Sequence, residues 1–269
     1  MKYNFALAFV IYYPGPSFYK RISFLLAEGY YIYIYDNSTN NIMDNELFIN
    51  NKNIYYLDDP KNSGLGVGIS HLSKKAYKDG FQSLLFFDQD TGFNIETTNF
   101  IHKIISENKR FLDDVAVLNF SDSKGNCSNQ IENTHLVINS GSLYILKNLE
   151  IIGWHDTSYF VDGVDYKFCL DASCKNFKIV KISSTPGFDH TSEQDDIDYI
   201  IFGKLFRFRE YSIIRVKDYL KSSLNLILAS LRKKKYKYSY IFLKYLIYYT
   251  LVQSYVRISR RLTKRKKND

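Results

Sequence analysis

The sequence predicts an α/β fold: a mixed, mainly parallel sheet flanked by helices, with a basic helical C-terminal extension. Three observations carry this expectation. Apolar runs of strand length each end in polar or turn residues; segments of helical length separate several of them; and near residue 202 the composition turns basic and aromatic.

Taken in order, Ala6 to Tyr13 reads as a first strand. Its short apolar run behind one lysine imitates a signal peptide, but it ends in Pro14-Gly15-Pro16 with no small-residue cleavage site. Ser17 to Glu28 has helical length. Tyr30 to Tyr35 is a second strand, running into Asp36, and Asn53 to Leu57 is a third. Gly68 to Asp79 reads as a helix closed by Gly80, and Ser83 to Phe87 is a fourth strand, running into Asp88. Continuously apolar strands alternating with helices imply a parallel sheet covered on both faces. Ligands of such sheets bind beyond the carboxyl ends of the strands, so Asp36 and Asp88 are expected on one rim. From Val115 to Ile182 short strands mix with a helix expected over Tyr166 to Lys175.

Composition narrows the class. A chain of 269 residues, 45% hydrophobic and 17% aromatic, can bury a full core and is not a disordered one. Its three cysteines, Cys127, Cys169 and Cys174, form no CxxC pair and read as reduced thiols of a cytoplasmic protein. The net charge of +8 hides an asymmetry: residues 201–269 hold 19 Lys/Arg against 3 Asp/Glu, and the first 200 hold 17 against 25. The basic part is therefore expected to meet an anionic partner.

Several short motifs bear chemistry. Asp88 and Asp90 flank Gln89 just after a strand; carboxylates two apart in extended chain share a face and suit a hard cation such as Mg²⁺ or Mn²⁺. A solvated turn accounts for the same residues. Asn62-Ser-Gly64-Leu-Gly-Val-Gly68 precedes a helix, and its backbone can approach a phosphate or sugar; it lacks dinucleotide-binding spacing. Asn139-Ser140-Gly141-Ser142 follows the apolar Leu136-Val-Ile138. Asp162 and Asp165 stand at the expected start of a helix, where an acid serves either as N-cap or as a general base. His190 lies in a polar loop, where solvation alone accounts for many histidines.

The order of these pieces resembles the inverting nucleotide-sugar glycosyltransferases of family 2, above all their bacterial rhamnosyltransferase-like branch. The matching stretches are Tyr35-Asp-Asn-Ser-Thr39, Asn62 to Gly68, Leu84 to Thr91, Ile138 to Tyr144, Ile152 to Leu170 and the later His190, spanning residues 5 to about 195. The resemblance implies a GT-A fold. It implies that Asp36 reads the nucleotide base and that Asp88, Gln89 and Asp90 serve the sugar nucleotide. Asn62, Gly64, Asn139, Ser140 and Gly141 line the donor, and Mn²⁺ or Mg²⁺ is held by Asp90, Asp88 and His190. Asp165 is the implied catalytic base, with Asp162 as an alternative base or acceptor contact, and Val164 stands where an acid usually precedes it. Ser70 replaces an asparagine usual in the helix after the glycine-rich loop. The implied substrates are a nucleotide-sugar donor, with L-rhamnose from dTDP-rhamnose leading and UDP-galactofuranose or another UDP-hexose second. The acceptor is a glycan or lipid-linked glycan of bacterial surface polysaccharide such as capsule or O-antigen.

The expected organisation is a catalytic domain over residues 1–201, nucleotide-sugar part to about 115 and acceptor part after it, then a tail over 202–269. In the tail, basic clusters at Arg232–Lys235 and Arg260–Lys267 bracket the aromatic run Tyr238 to Val256. That run has the length of a bilayer span, yet its Lys244, Gln253 and tyrosines suit an interface better than hydrocarbon. The expectation is peripheral attachment to the anionic inner face of the cell membrane. A soluble helical cap and a true span are the alternatives. A nucleic-acid partner fits the tail taken alone, but the acidic first 200 residues argue for none.

Overall fold

The computed structural model describes residues 5–39, 51–107, 109–122, 131–189, 197–201 and 204–265. The chain divides into two compact units, Met1–Thr191 and Ser192–Asp269.

The first unit is built on an eight-stranded sheet of order β3-β2-β1-β4-β7-β5-β8-β6. The interior strand β1 (Phe5–Ile11) is buried almost throughout, as expected of a parallel strand covered on both faces. It lies parallel to β2 (Ile32–Asp36) on one side and β4 (Ser83–Phe86) on the other, and β3 (Ile54–Asp58) extends the parallel set. The sheet then turns mixed. The strand β7 (Ser142–Ile145) runs antiparallel between β4 and β5 (Val115–Phe120). Beyond it β8 (Lys178–Ile182) is parallel to β5, and the three-residue β6 (Ile131–Asn133) forms an exposed edge.

Helix α1 (Pro16–Ala27) opens with proline at its first turn, where the missing N–H costs nothing, and buries Phe18, Ile22 and Leu25 at one-turn spacing. Helix α2 (Leu65–Lys78) buries Ile69, Leu72 and Ala76 and ends before Gly80, whose φ of 90° suits glycine. Helix α3 (Ile95–Glu107) starts where the Asn94 side chain accepts the Glu96 and Thr97 amides. The remaining helices of this unit are α4 (Leu146–Ile152) and α5 (Val164–Cys174). Phe9, Leu85, Phe87 and Phe120 belong to one continuous core across the sheet.

Three boundaries depart from expectation. The first strand stops at Ile11 because the Tyr12 and Tyr13 amides turn aside to Gln89 and Ser38. Helix α2 begins at Leu65, so Gly66 and Gly68 lie inside its first turn and not in a loop ahead of it. Helix α5 begins at Val164 with Gly163, at φ 85°, as its N-cap; neither Asp162 nor Asp165 has the capping position.

In the second unit β9 (Ile197–Ile201) pairs antiparallel with β10 (Lys204–Phe208). The shift in composition at residue 202 therefore falls within a strand pair, and the unit begins before it. Helices α6 (Ile213–Arg232) and α7 (Tyr236–Arg265) follow, joined by Lys233–Lys235. No helix among the described residues is long and apolar enough to cross a membrane. Cys169 and Cys174 are free thiols; Cys127 lies outside the described residues.

Candidate active site

Parallel pairing puts the carboxyl ends of β1, β2 and β4 on one rim, and the chain leaves all three through polar residues. Asp36, the last residue of β2, is buried; one carboxylate oxygen accepts the Ser38 amide at 2.9 Å and the other the Tyr56 hydroxyl at 2.8 Å. Its charge therefore orders the following turn. That turn reaches the glycine-rich segment through Asn37, whose side-chain oxygen accepts the Gly64 amide at 3.3 Å.

Tyr12 and Tyr13, at the end of β1, link this turn to the one after β4. The Gln89 side chain accepts the Tyr12 amide at 2.8 Å and donates to the Tyr12 carbonyl at 3.2 Å, while Ser38 accepts the Tyr13 amide at 2.8 Å. Both tyrosine rings are about half exposed and meet edge to face. They form an aromatic platform between Asp36 and Gln89 that the apolar pattern of the first strand concealed.

Asp88, Gln89 and Asp90 do not continue the strand. The Thr91 amide donates to the Asp88 carbonyl at 3.1 Å and closes a turn, so the alternation expected of extended chain ends at Phe87. The turn is fastened from three directions. The Ser140 hydroxyl accepts the Asp88 amide at 3.2 Å and pairs with the Thr91 hydroxyl at 2.6 Å. Arg21, from α1, donates to the Gln89 carbonyl at 3.0 Å and lies over the Phe93 ring. Gly92 and Asp189 exchange backbone hydrogen bonds of 2.7 and 2.8 Å. Sequence reasoning missed Arg21, since an arginine on an amphipathic helix carries no signal of its own.

The two acids have different neighbours. Burial lowers the Arg21 guanidinium from its ordinary value, and the charge of Asp90 partly opposes that. Asp88 acts on Asp165. That carboxyl, in the first turn of α5, is pushed up to about 7: burial is the main cause, the Tyr166 amide opposes it, and the charges of Asp88 and Asp162 add to it. Asp165 accepts the Tyr166 amide at 2.8 Å. Asp88, Asp162 and Asp165 thus share one electrostatic neighbourhood.

Other expected donor contacts are engaged within the protein. Asn139 accepts the Tyr144 hydroxyl at 2.6 Å. Gly141, at φ 75°, lies so near the Phe120 carbonyl that a Cβ would sit 2.2 Å from it. Asn119, a residue sequence reasoning missed, ties this turn down by donating to the Ile138 and Ser140 carbonyls and to the Ser142 hydroxyl. Asn62 has φ 51° and donates its amide to the Asp59 carbonyl.

The close approach afforded by the glycine-rich segment goes to the protein's own chain. Cβ atoms at Gly64 and Gly66 would lie 2.5 Å from the Phe160 carbonyl and 2.3 Å from the Tyr159 carbonyl, and the Leu65 amide donates to Phe160. The segment between α4 and α5, which bears Asp162, is thereby seated on the start of α2. Ser70 is buried in α2, and its hydroxyl has no hydrogen-bond partner among the described residues.

Two acids on one turn offer hard oxygen ligands. Mg²⁺ is commonly held by one or two carboxylates plus substrate phosphates, and this donor set fits that pattern. No three His, Cys, Asp or Glu side chains gather as a metal site among the described residues. His190 lies outside them.

The mixed, mostly parallel eight-stranded sheet with flanking helices is the fold of the GT-A glycosyltransferases. Among solved structures, GalNAc-T7 with UDP, GalNAc and Mn²⁺ matches with a TM-score of 0.52 and 11% identity over 66% of this chain and 43% of that one. S. aureus TarS matches with a TM-score of 0.49 and 17% identity over 68% of this chain and 36% of that one. Residues 1–349 of TarS with UDP-GlcNAc match with a TM-score of 0.48 and 17% identity over 83% and 65%. The chain spans less than two-thirds of the length of each, and the likeness is one of fold. Comparison with family models and with curated proteins gave no match.

Proposed function

We propose that the protein is an inverting glycosyltransferase that moves a sugar from a nucleoside-diphosphate donor to a glycan or lipid-linked glycan hydroxyl. The observation that carries this reading is that Asp88, just beyond the carboxyl end of β4, and Asp165, in the first turn of α5, are near enough for the charge of one to raise the other, in a fold shared with glycosyltransferases.

Asp165 is the base. A carboxyl held near neutrality binds a proton well enough to remove one from an attacking hydroxyl and is still ionised in part at pH 7. The hydroxyl oxygen attacks the anomeric carbon, the bond from that carbon to the diphosphate oxygen breaks, and the electron pair leaves with the nucleoside diphosphate. Asp88 and Asp90 would hold Mn²⁺ or Mg²⁺, which when bound neutralises charge on that leaving group. His190 is assigned as a further ligand on sequence resemblance alone. Asp36, Asn37 and the Tyr12–Tyr13 platform receive the base and ribose.

For the donor, the sequence motifs favour dTDP-rhamnose. The GalNAc-T7 structure, solved with UDP, favours a UDP-sugar as the second reading. A thermal-shift comparison of dTDP-rhamnose, UDP-hexoses and UDP-galactofuranose, with and without Mn²⁺, separates them, because a ligand selective for the folded state raises its melting temperature. Asp165→Asn is expected to keep that shift and lose turnover. If Asp162→Asn is inactive and Asp165→Asn active, the two acids exchange roles. A chain that no sugar nucleotide stabilises, with or without metal, is not a transferase of this kind.

A further inference from the structure

Helices α6 and α7 form an antiparallel hairpin with reversed polarity. Ser230 and Ser239 share a 2.7 Å hydrogen bond near the connection, the Tyr219 and Tyr249 rings stack at 3.7 Å midway, and Gln253 bonds the Tyr211 amide and Arg209 carbonyl at the far end. Its buried positions are rich in small or polar groups: Ser222, Ser223, Ser230, Ser239 and Gln253, with Leu226, Tyr238, Phe242 and Val256 between them. Many of the large apolar side chains nevertheless point outward. Leu224 and Leu228 of α6 and Tyr240 and Leu251 of α7 are each at least half exposed. Their spacings place them on one stripe of each helix.

A water-facing hairpin buries leucine and exposes serine. Small residues between helices with apolar residues outside is the arrangement favoured where the surroundings are apolar. Charge then names the surroundings. Residues 213–265 hold 14 Lys/Arg against one acid, Asp218. Lys217 and Lys221 lie beside the outward stripe of α6, Lys244 within that of α7, and the exposed run Arg232–Lys234 crowns the connection. We propose that this hairpin lies in the surface of an anionic phospholipid bilayer, apolar stripes in the acyl boundary and lysines at the headgroups. The acidic first 200 residues contribute no attraction to such a surface, so the contact rests on the hairpin. The proposal is independent of the catalytic reading, since lipid binding needs no turnover.

The test uses the full chain and sedimentation with phosphatidylglycerol or phosphatidylcholine vesicles. Binding is expected to phosphatidylglycerol and to be weakened by salt. Lys233→Gln with Lys234→Gln should weaken it about fivefold per lysine. Leu228→Glu with Leu251→Glu should abolish it; both sites are exposed, so helicity by circular dichroism should hold. Equal binding to both vesicle types overturns the proposal. So does failure to sediment accompanied either by self-association that the Leu→Glu pair disrupts, which makes the partner a second copy, or by binding of a labelled oligonucleotide instead.

Discussion

Asp165 is costly to the fold because of the same property that suits it to the base role proposed for it. Its carboxyl is raised to about 7 from 3.8, so the ionised form is disfavoured in the folded protein. The sign follows: its contribution to stability is fully present below the unfolded value near 3.8 and is lost as pH rises through about 7. At ~1.4 kcal/mol per pH unit, the interval sets an upper bound of about 4 kcal/mol. Asp165→Asn is therefore expected to lose turnover and yet melt higher than wild type at pH 8, the gain shrinking to nothing near pH 4. A variant that melts lower at pH 8 than the parent chain would remove the buried-base assignment. His155 shows the opposite sign. It is buried, stacked on Phe168 and edge-on to Tyr144, and neither ring nitrogen has a hydrogen-bond partner among the described residues. Burial lowers it to about 3, so its contribution holds above the ordinary 6.5 and is lost as pH falls toward 3. His155→Phe should stabilise the protein, more at pH 5 than at pH 8, and chemical denaturation at the two pH values measures the difference.

Among elements, the turn carrying Asp88 and Asp90 depends on partners far away in the chain. Arg21→Met keeps an apolar stem on α1 but removes both the bond to the Gln89 carbonyl and the guanidinium over Phe93. It should cost about 1 kcal/mol of stability but lower kcat on the order of 10–100-fold through misplacement of the turn. The Mn²⁺ concentration for half-maximal activity should rise with it; an unchanged metal dependence would limit Arg21 to packing. Gly64→Ala is a harsher change. The residue has φ 91°, and the new Cβ would meet Phe160, so a loss of about 1–3 kcal/mol is expected, along with lower activity as the segment bearing Asp162 is displaced. Such wiring marks the limit of what the sequence disclosed. Apolar runs ending in Asp36 and Asp88 were legible because burial and strand ends leave a local pattern. The links Tyr12–Gln89 and Arg21–Gln89 join residues 77 and 68 apart, and no local pattern encodes them. The start of α5 was misjudged because Asp is the commoner N-cap, whereas here Gly163 takes that position in a left-handed conformation.

For the molecule as a whole, the division at residues 191 and 192 predicts separable roles. Deleting residues 232–269 should release the protein from anionic vesicles while donor hydrolysis, or transfer to a soluble acceptor analogue, stays within about twofold of the full chain. Loss of all activity with an unfolded remainder would make α7 part of the catalytic structure. The antiparallel strand β7 has a different consequence, one of timing. During synthesis Ser83-Leu-Leu-Phe86 can join β1 as soon as it emerges, but its other edge waits for Ser142–Ile145. Until then an apolar strand offers unpaired amides to any passing chain, which is how sheet edges seed aggregation. Nascent chains stalled with Ser83–Phe86 outside the ribosome and Ser142–Ile145 still inside it should therefore bind holdase chaperones more strongly than chains stalled with both outside. A translation pause in that interval would lower the yield of soluble protein without altering a single native contact.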